Sequence, residues 1–523
     1  MTQNTSALRE RLIGVMLPVA RALLSQSRMS ESTAAPPASG DSLDRSALRG
    51  VAWSSAAKWS TQLFAWGGTI LVARILVPED IGLLMTASVF MGVVMVLSEF
   101  GIGTAVITLR HLPAEEMTQL NSFSVILGAG GTLLAAAMAY PLGLFFRAPQ
   151  LPPVLMVVGL TFLFSSLQTV PSALLRRELR FRTIAGIEVV RGLVVPAVTL
   201  AGALAGMRYW ALALGGVIGA VITAALTLYH RHVGFARPSF AGLRPVLTFS
   251  RHVLVGRLAW IVYQNGDFAV AGRRLSMASV GDYGMAWTLA TSPIEKVTTI
   301  LADVTPALFS AAQHDKAALR RYFLNLSELL CLALLPVAVG IAIVSHDLVD
   351  VVLGEKWRGA AGPLALLALY AGTRSVTTLF GHLFNATRET RFAMWSSIAL
   401  AILLLTGFIV GSRWGPSGIA AAWLIVHPGF SVYSFTRVRR VLEMDTSSYL
   451  RALRLGVDGS VIMAAALLAF QMTIAVDWPT WLRLLATILL GVAVFIGVTL
   501  AIHGARLRAI LSWLRRVRRG EQV

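Results

Sequence analysis

Runs of about twenty apolar residues, separated by short polar breaks, recur fourteen times along this chain. A helix rises about 1.5 Å per residue, so such a run matches a hydrocarbon core of roughly 30 Å. The windows are 51–73, 81–107, 121–146, 152–174, 184–206, 209–230, 248–275, 281–310, 322–345, 361–385, 393–413, 416–437, 456–477 and 481–503. The strand-length alternation that marks a membrane barrel is absent. The pattern predicts an all-α, polytopic membrane protein with about 14 transmembrane helices.

The breaks carry a second pattern. RRELRF (176–181), between the fourth and fifth windows, is echoed 211 residues later by RETRF (388–392), between the tenth and eleventh. PEDIGLL (78–84) recurs loosely as VGDYGMA (280–286), Lys58 precedes Arg257 by 199 residues, and Glu99 precedes Asp303 by 204. Six spans return the chain to its starting side. Two six-helix lobes related by a pseudo-two-fold along the membrane normal are therefore expected, plus two C-terminal helices without counterparts. The expected divisions are a cytoplasmic tail 1–48, an N-lobe 49–235, a C-lobe 236–440, two further spans in 441–505 and a basic tail 506–523. The stretch 12–24 reads as a cytoplasmic amphipathic segment, and RLRAILSWLRRVRRG (506–520) as a helix lying on the inner leaflet. Pro196, Pro293, Pro306 and Pro336 lie inside windows and are expected to bend their helices, as hinges or as fixed curves.

Composition agrees with a membrane protein: 56% hydrophobic and 14% charged, with a mean hydropathy of +0.70. The net charge of +19 changes the picture only through its distribution. With cations near window ends counted in the adjoining connections, of 45 Lys and Arg 31 fall on the side of both termini, 9 on the other side and 5 deep within windows, a bias that predicts both termini in the cytoplasm. The basicity thus reads as topology and contact with anionic lipid, not nucleic-acid binding. The single cysteine, Cys331, leaves no intramolecular disulfide and no cysteine metal site. Connections are short, so no soluble catalytic domain is expected, and no GxxxxGK[ST] signature occurs.

Polar residues inside the windows share helical faces. Ser54, Lys58, Thr61, Gln62 and Thr69 do so in the first window, and Thr288, Ser292, Lys296, Thr299 and Asp303 in the eighth. The seventh carries Arg257, Gln264 and Asn265; the tenth carries Arg374, Thr378, His382 and Asn385. These four helices are expected to line a cavity. A mid-membrane charge costs about 2.5–3.5 kcal/mol on insertion scales, so Lys58, Arg191, Arg257, Lys296 and Arg374 are expected to face inward. Against them stand the acids Glu99, Glu188, Asp267, Glu295 and Asp303, of which Glu99, Asp267 and Asp303 are candidates for holding a coupling ion. Glu188 lies three residues before Arg191, a spacing that fits mutual neutralisation equally well. His382 reads as a hydrogen-bonded packing residue.

LVARILVPEDIGLL (71–84), SEFGIGTAVI (98–107) and ALLRRELRFRTIA (173–185) resemble the polysaccharide-transporter (oligosaccharide flippase) family. Its superfamily also holds multidrug and toxin extrusion exporters and peptidoglycan-precursor flippases. The resemblance spans windows 1 to 12. It implies two lobes around a central cavity, alternating access, and export of a polyprenyl-pyrophosphate-linked oligosaccharide across a bacterial inner membrane, without a cofactor. Membrane lipids and polysaccharide polymerase or assembly proteins are the other partners implied. On this reading Lys58, Gln62, Arg191, Arg257, Lys296 and Arg374 would meet pyrophosphate and sugar, Arg holding phosphate bidentately. The turn residues Arg176, Arg177, Glu178, Arg180, Arg388, Glu389 and Arg391 would either anchor helices at the headgroup layer or form an inner gate by pairing across the pseudo-two-fold.

Three other functions stay open on the residues alone. A cation-coupled drug or metabolite exporter calls for an acidic, aromatic-lined cavity. A membrane polymerase or ligase calls for an extended outer loop, whereas the largest outer connection here is HDLVDVVLGEKWRGAAG (346–362). A scaffold of an assembly complex calls for neither.

Overall fold

The computed structural model describes residues 66–108, 113–238, 261 and 263–518, all within one compact unit, Thr61–Val523. Helices are the only regular secondary structure among them. In chain order they are α1 (66–75), α2 (Pro78–Glu99), α3 (Ile102–Thr108), α4 (Ala114–Phe146), α5 (Leu151–Arg177), α6 (Phe181–Leu204), α7 (Tyr209–His230) and α8 (263–274). There follow α9 (Met277–Ala311), α10 (Lys316–Ile343), α11 (Ala361–Ala386), α12 (Thr390–Gly411), α13 (Gly415–Val441), α14 (Thr446–Thr473) and α15 (Thr480–Arg518), with short helical turns at Ser345–Leu348, Val349–Leu353, Glu355–Ala360 and Ser412–Trp414 left unnumbered. Ten stretches among the described residues are long and apolar enough to cross a membrane. The chain is a multi-pass membrane protein. One stretch, Thr390–Val441, holds both α12 and α13, so the ten cover eleven expected windows. Windows 1 and 7 reach the described residues only as α1 and α8, and window 8 is α9.

Local chemistry sets where the helices start. Pro78 opens α2, where an N–H would have no partner, and Glu79 and Asp80 sit at the positive end of the helix dipole. Ser276 caps α9, accepting from Ser279 N at 3.2 Å. Asp315 caps α10, accepting from Ala317 N and Ala318 N at 2.9 and 3.0 Å.

α2 and α9 begin side by side and pack along each other. A methyl group added to Gly82 would overlap the carbonyl oxygen of Met277, and one added to Gly281 would overlap that of Pro78. Met277 follows Pro78 by 199 residues and Gly281 follows Gly82 by 199, so this contact is its own image under a two-fold relation. The same end is strapped shut. Arg74 Nε donates to Val352 O at 2.8 Å and its Nη2 donates to Val351 O. Lys356 Nζ donates to Arg74 O at 2.8 Å, and the buried Trp357 donates from Nε1 to Ala73 O at 2.9 Å. The connection between α10 and α11 thus reaches from the second half onto the end of α1. Arg273 adds a cation–π contact over Phe145, 5.3 Å from the ring centroid. Gly92 of α2 also comes close to the second half, a methyl group there meeting Ile261 at 3.6 Å.

The two basic turns share one backbone form. Arg180 N donates to Leu175 O at 2.9 Å and Glu389 N to Phe384 O at 2.8 Å, while Leu179 and Arg388 adopt φ of 57° and 60°. The structural equivalence is therefore 209 residues, two fewer than the echo in sequence. Glu178 accepts from Arg231 Nε at 2.8 Å, and Glu389 from Arg437 Nη2 at 2.9 and 2.7 Å. Each carboxylate is held by an arginine near the end of the sixth helix of its own half. The gate alternative, in which turn arginines pair with Glu178 and Glu389 across the two-fold, is not formed in this state, where both carboxylates are held by arginines of their own half. Arg180 Nη1 also donates to His230 O at 3.2 Å, and Arg176, Arg388 and Arg391 are exposed, the placement an anchor requires.

α14 and α15 attach to α10. Arg483 pairs with Asp347 just beyond one end of α10, and Arg506 donates to both oxygens of Glu328 at 2.9 and 2.7 Å within it. Glu328 is 1% exposed and lies inside window 9, and Asp458 lies inside window 13. Both are intramembrane acids missing from the set of five above. α15 leaves helical geometry at His503, whose Nε2 is 3.3 Å from Asp458 Oδ2, and then continues as helix into the basic tail. Losing Arg506 would strand the Glu328 carboxylate. Since the guanidinium is half exposed, the expected cost is about 2 kcal/mol, below the ~3–5 kcal/mol of a fully buried pair. Arg506→Ala is expected to lower the melting temperature of the purified protein by a few degrees in a thermal-shift assay, and Arg506→Lys to recover part of it.

Pro196, Pro293, Pro306 and Pro336 all lie within continuous helices. Window 2 is interrupted instead at Phe100 and Gly101, with φ of 43° and 68°, which separate α2 from α3.

Candidate functional site

Two narrow crevices open at matching places in the two halves. One lies between α2 and α5, lined by Met95, Ser98, Glu99, Phe162, Ser165, Ser166 and Thr169. The other lies between α9 and α11, lined by Thr298, Thr305, Ser375, Thr378 and His382, with Leu330 of α10. The second takes Thr378 and His382 from the polar stripe expected for the tenth window, whereas α9 contributes Thr298 and Thr305, which lie outside the stripe expected for the eighth.

Arg374 stands beside that second crevice, one residue before Ser375. Its side chain is 23% exposed, and Nη1 lies 3.9 Å from Glu295 Oε1 on α9. Thr377 and Thr378 return their hydroxyls to the Arg374 carbonyl at 3.1 and 2.9 Å, the usual way a helix satisfies hydroxyls in apolar surroundings. Lys296 is exposed next to Glu295 and forms no salt bridge among the described residues. His382 makes no hydrogen bond among them either, so it lines the crevice rather than acting as the bonded packing residue expected. One guanidinium at the edge of a row of hydroxyls is an arrangement that suits a phosphate carrying sugars: the cation takes the phosphate and the hydroxyls match those of the sugar.

A block of rings backs Arg374. The Tyr370 ring lies 4.8 Å from that of Trp423 and 5.3 Å from that of His427, and Tyr263 lies 5.6 Å from Trp423. Asp267 is wholly buried in this block, accepting from Tyr283 OH at 2.6 Å, Trp423 Nε1 at 3.0 Å and Phe268 N at 2.8 Å. Three donors make it a satisfied buried carboxylate that fixes the rings, and it lines neither of the two crevices.

The other expected residues divide. Arg191 lies 3.6 Å from Glu188, both more than half exposed, so local neutralisation is what the structure contains there. Its helix, α6, packs on α7 and α5, not on α9 or α11. Glu99 belongs to the first crevice. Lys58, Gln62 and Arg257 lie outside the described residues, as does the side chain of Asp303. Sequence reasoning missed the ring block, although Tyr370 precedes Arg374 by four residues, the spacing that puts ring and guanidinium on one face. It also missed Arg74 and the strap at 349–360, which carry no pattern in sequence.

A family model described as "Polysaccharide biosynthesis protein" matches residues 71–362. The lipopolysaccharide biosynthesis protein WzxC of Escherichia coli (strain K12) is 25% identical over 427 residues, 79% of this chain and 85% of that one. The succinoglycan biosynthesis transport protein ExoT of Rhizobium meliloti (strain 1021) is 22% identical over 483 residues, 90% of this chain and 96% of that one. Among solved structures, the lipid II flippase MurJ in an inward closed conformation shares the fold with a TM-score of 0.70 at 12% identity, covering 87% of this chain and 99% of that one.

Proposed function

Because the chain belongs to the family of polysaccharide biosynthesis proteins, we propose that it is a flippase. It moves a polyprenyl-pyrophosphate-linked oligosaccharide from the cytoplasmic to the outer leaflet of a bacterial inner membrane. The observation that carries this reading is Arg374, largely buried and held by a long ion pair beside a hydroxyl-lined crevice. Each sugar hydroxyl costs about 4–8 kcal/mol to move into hydrocarbon, so the head group needs a polar path while the lipid tail stays in the bilayer. Arg374 and Lys296 offer that path its phosphate contacts. Lys58, Gln62 and Arg257 belong to the same proposal.

The uneven distribution of Lys and Arg supports both termini lying in the cytoplasm. On that topology the strapped end faces outward, and the described state would be one closed to the outside. The lobes 49–235 and 236–440 would rock about the crossing of α2 and α9, with the added spans in 441–505 moving with the C-lobe through Arg483 and Arg506. Exporting two negative charges across about 100 mV, inside negative, releases roughly 4.6 kcal/mol, which contributes to the drive without nucleotide hydrolysis.

The test is where the substrate accumulates. A deletion strain is expected to hold lipid-linked repeat units on the cytoplasmic leaflet, shielded in intact spheroplasts from an added glycosidase, and a plasmid copy should clear them. Accumulation on the outer leaflet would rule the flippase out and point to a later step. In proteoliposomes, collapsing the potential should slow flipping; an unchanged rate would exclude electrical drive.

A further inference from the structure

Four helices of the second half bring polar groups to one guanidinium. Arg374 stands on α11 with Tyr370 one turn before it, and Tyr263 of α8, Glu295 of α9 and His427 of α13 are its neighbours from other helices. One of these groups is left unused by the fold. Tyr370 is wholly buried, and its hydroxyl has no hydrogen bond of normal geometry, although the Arg374 guanidinium and the Tyr263 hydroxyl stand beside it. Buried polar atoms are nearly always bonded, so a sealed phenol oxygen next to a cation calls for an explanation.

Packing does not explain the hydroxyl. The Tyr370 ring lies 4.8 Å from that of Trp423 and meets that of His427 edge-on, and a phenylalanine would make the same ring contacts without burying an oxygen. The repeat gives an internal comparison. By the 209-residue relation of the two turns, Tyr370 and Arg374 correspond to Thr161 and Ser165. The first half has neither phenol nor guanidinium at these places, and Thr161 returns its hydroxyl to Val158 O of its own helix at 2.6 Å. The phenol stands where the guanidinium stands.

The chemistry of the guanidinium supplies a reason. It carries five N–H donors in a rigid planar fork and accepts nothing. A phosphate held bidentately takes two donors along one edge, and the donors on the other edges then need acceptors from the protein. Glu295 does not fix the fork: at 3.9 Å it is too far for a hydrogen bond, and it is more than half exposed. Tyr370 is better placed, being dry, one turn away on the same helix, and held by the rings of Trp287, Trp423 and His427.

We propose that Tyr370 is a positioning residue for phosphate recognition: its hydroxyl accepts from the rear edge of the Arg374 guanidinium when a diphosphate draws that guanidinium away from Glu295, aiming the fork at the crevice between α9 and α11. In the described state the guanidinium is shared between a carboxylate it does not reach and a phenol it does not yet bond, which leaves the phenol without a partner. Tyr263, whose hydroxyl adjoins that of Tyr370, is there to receive the phenol's own proton in a hydrogen bond. Tyr370 touches no substrate and acts through Arg374. The inference deepens the flippase reading and rests on it for the identity of the ligand.

The experiment titrates radiolabelled undecaprenyl pyrophosphate into the purified full-length protein in lipid nanodiscs, with melting temperature followed alongside. The wild type is expected to bind saturably. Tyr370→Phe, which keeps the ring and removes the hydroxyl, should weaken binding about tenfold. Its melting temperature should be unchanged or raised, because the deleted group is one the fold does not bond. In an Arg374→Gln background the same substitution should change nothing further, the signature of a residue that acts through the guanidinium. In proteoliposomes, Tyr370→Phe should raise the half-saturating concentration of lipid-linked oligosaccharide about tenfold and keep the maximal rate within about twofold. Tyr263→Phe gives a second reading of the same cycle, with a smaller loss expected, should Tyr370→Phe express poorly. Unchanged affinity in Tyr370→Phe, an equal loss with and without Arg374, or a loss matched by a fall in melting temperature overturns the proposal, the last two making Tyr370 a packing residue. So does a wild type that binds no diphosphate. A protein that passes the leaflet test without this coupling keeps the flippase reading and loses the role of Tyr370; one that shows the coupling yet fails the leaflet test keeps the phosphate site and loses the flippase.

Discussion

Gly82→Leu is expected to abolish glycan export while leaving the protein folded in the membrane, and Gly281→Leu to do the same. The strapped end, outer on the proposed topology, closes by backbone meeting backbone: the Gly82 position lies against the Met277 carbonyl and the Gly281 position against that of Pro78. Any side chain there forces α2 and α9 apart at their first turns, where the strap from Val351, Lys356 and Trp357 also grips α1. Overpacking of this kind costs about 1–3 kcal/mol. Charged against one state of a two-state cycle, that is a shift of about 5–150-fold in population toward the open outer end. Folding within each half is spared, because the overlap lies between the halves. The measurement is flipping of a fluorescent lipid-linked oligosaccharide in proteoliposomes, with Gly216→Ala as the control, since a methyl there meets no atom within 4 Å. Because the two contacts are images of each other, the double substitution should cost little more than either single one. Normal transport by Gly82→Leu would show that the crossing never has to close.

The same crossing marks how far the sequence can be read. PEDIGLL and VGDYGMA keep a glycine at equivalent positions, so the repeat and its two-fold were legible before any helix was placed. Span lengths were legible because the bilayer fixes them and apolar runs record them directly. Local pairs were legible too: Glu188 and Arg191, three residues apart on one helix, meet as that spacing allows. Partners on different helices were not. Glu178 and Glu389 invite a cross-gate because they occur as a pair in sequence, yet each finds an arginine of its own half. Glu328 finds Arg506 across 178 residues, and nothing in an apolar run announces that. Asp267 reads as an ion site until the hydroxyl of Tyr283 and the indole of Trp423 are found on it, because the donors that satisfy a buried carboxylate come from helices whose register sequence does not reveal. Proline marks positions inside α6, α9 and α10, whereas the interruption of window 2 rests on Phe100 and Gly101. Proline is visible as a chemical exception; a left-handed phenylalanine is the outcome of packing.

Arg374→Gln is expected to lower the flipping rate about a hundredfold, the largest effect of any single charge on the α9 and α11 faces. A guanidinium gripping a phosphate makes charge-assisted hydrogen bonds of about 1.5–3 kcal/mol each, and losing two of them is worth that factor. Arg374→Lys keeps the charge and loses the bidentate grip, so about a tenfold loss is expected. The competing explanation is that Arg374 merely neutralises Glu295, 3.9 Å away. Glu295 is more than half exposed, so stranding it costs little, and Glu295→Gln should fold and transport at close to the normal rate. The reciprocal exchange, Arg374→Glu with Glu295→Arg, separates the two accounts. It restores the ion pair but moves the cation from the crevice edge on α11 to the exposed face of α9, away from Ser375 and Thr378. If the arginine serves the substrate, the exchanged protein stays inactive although its melting temperature is normal. If the pair serves only the fold, the exchange restores transport, and the site must be sought elsewhere.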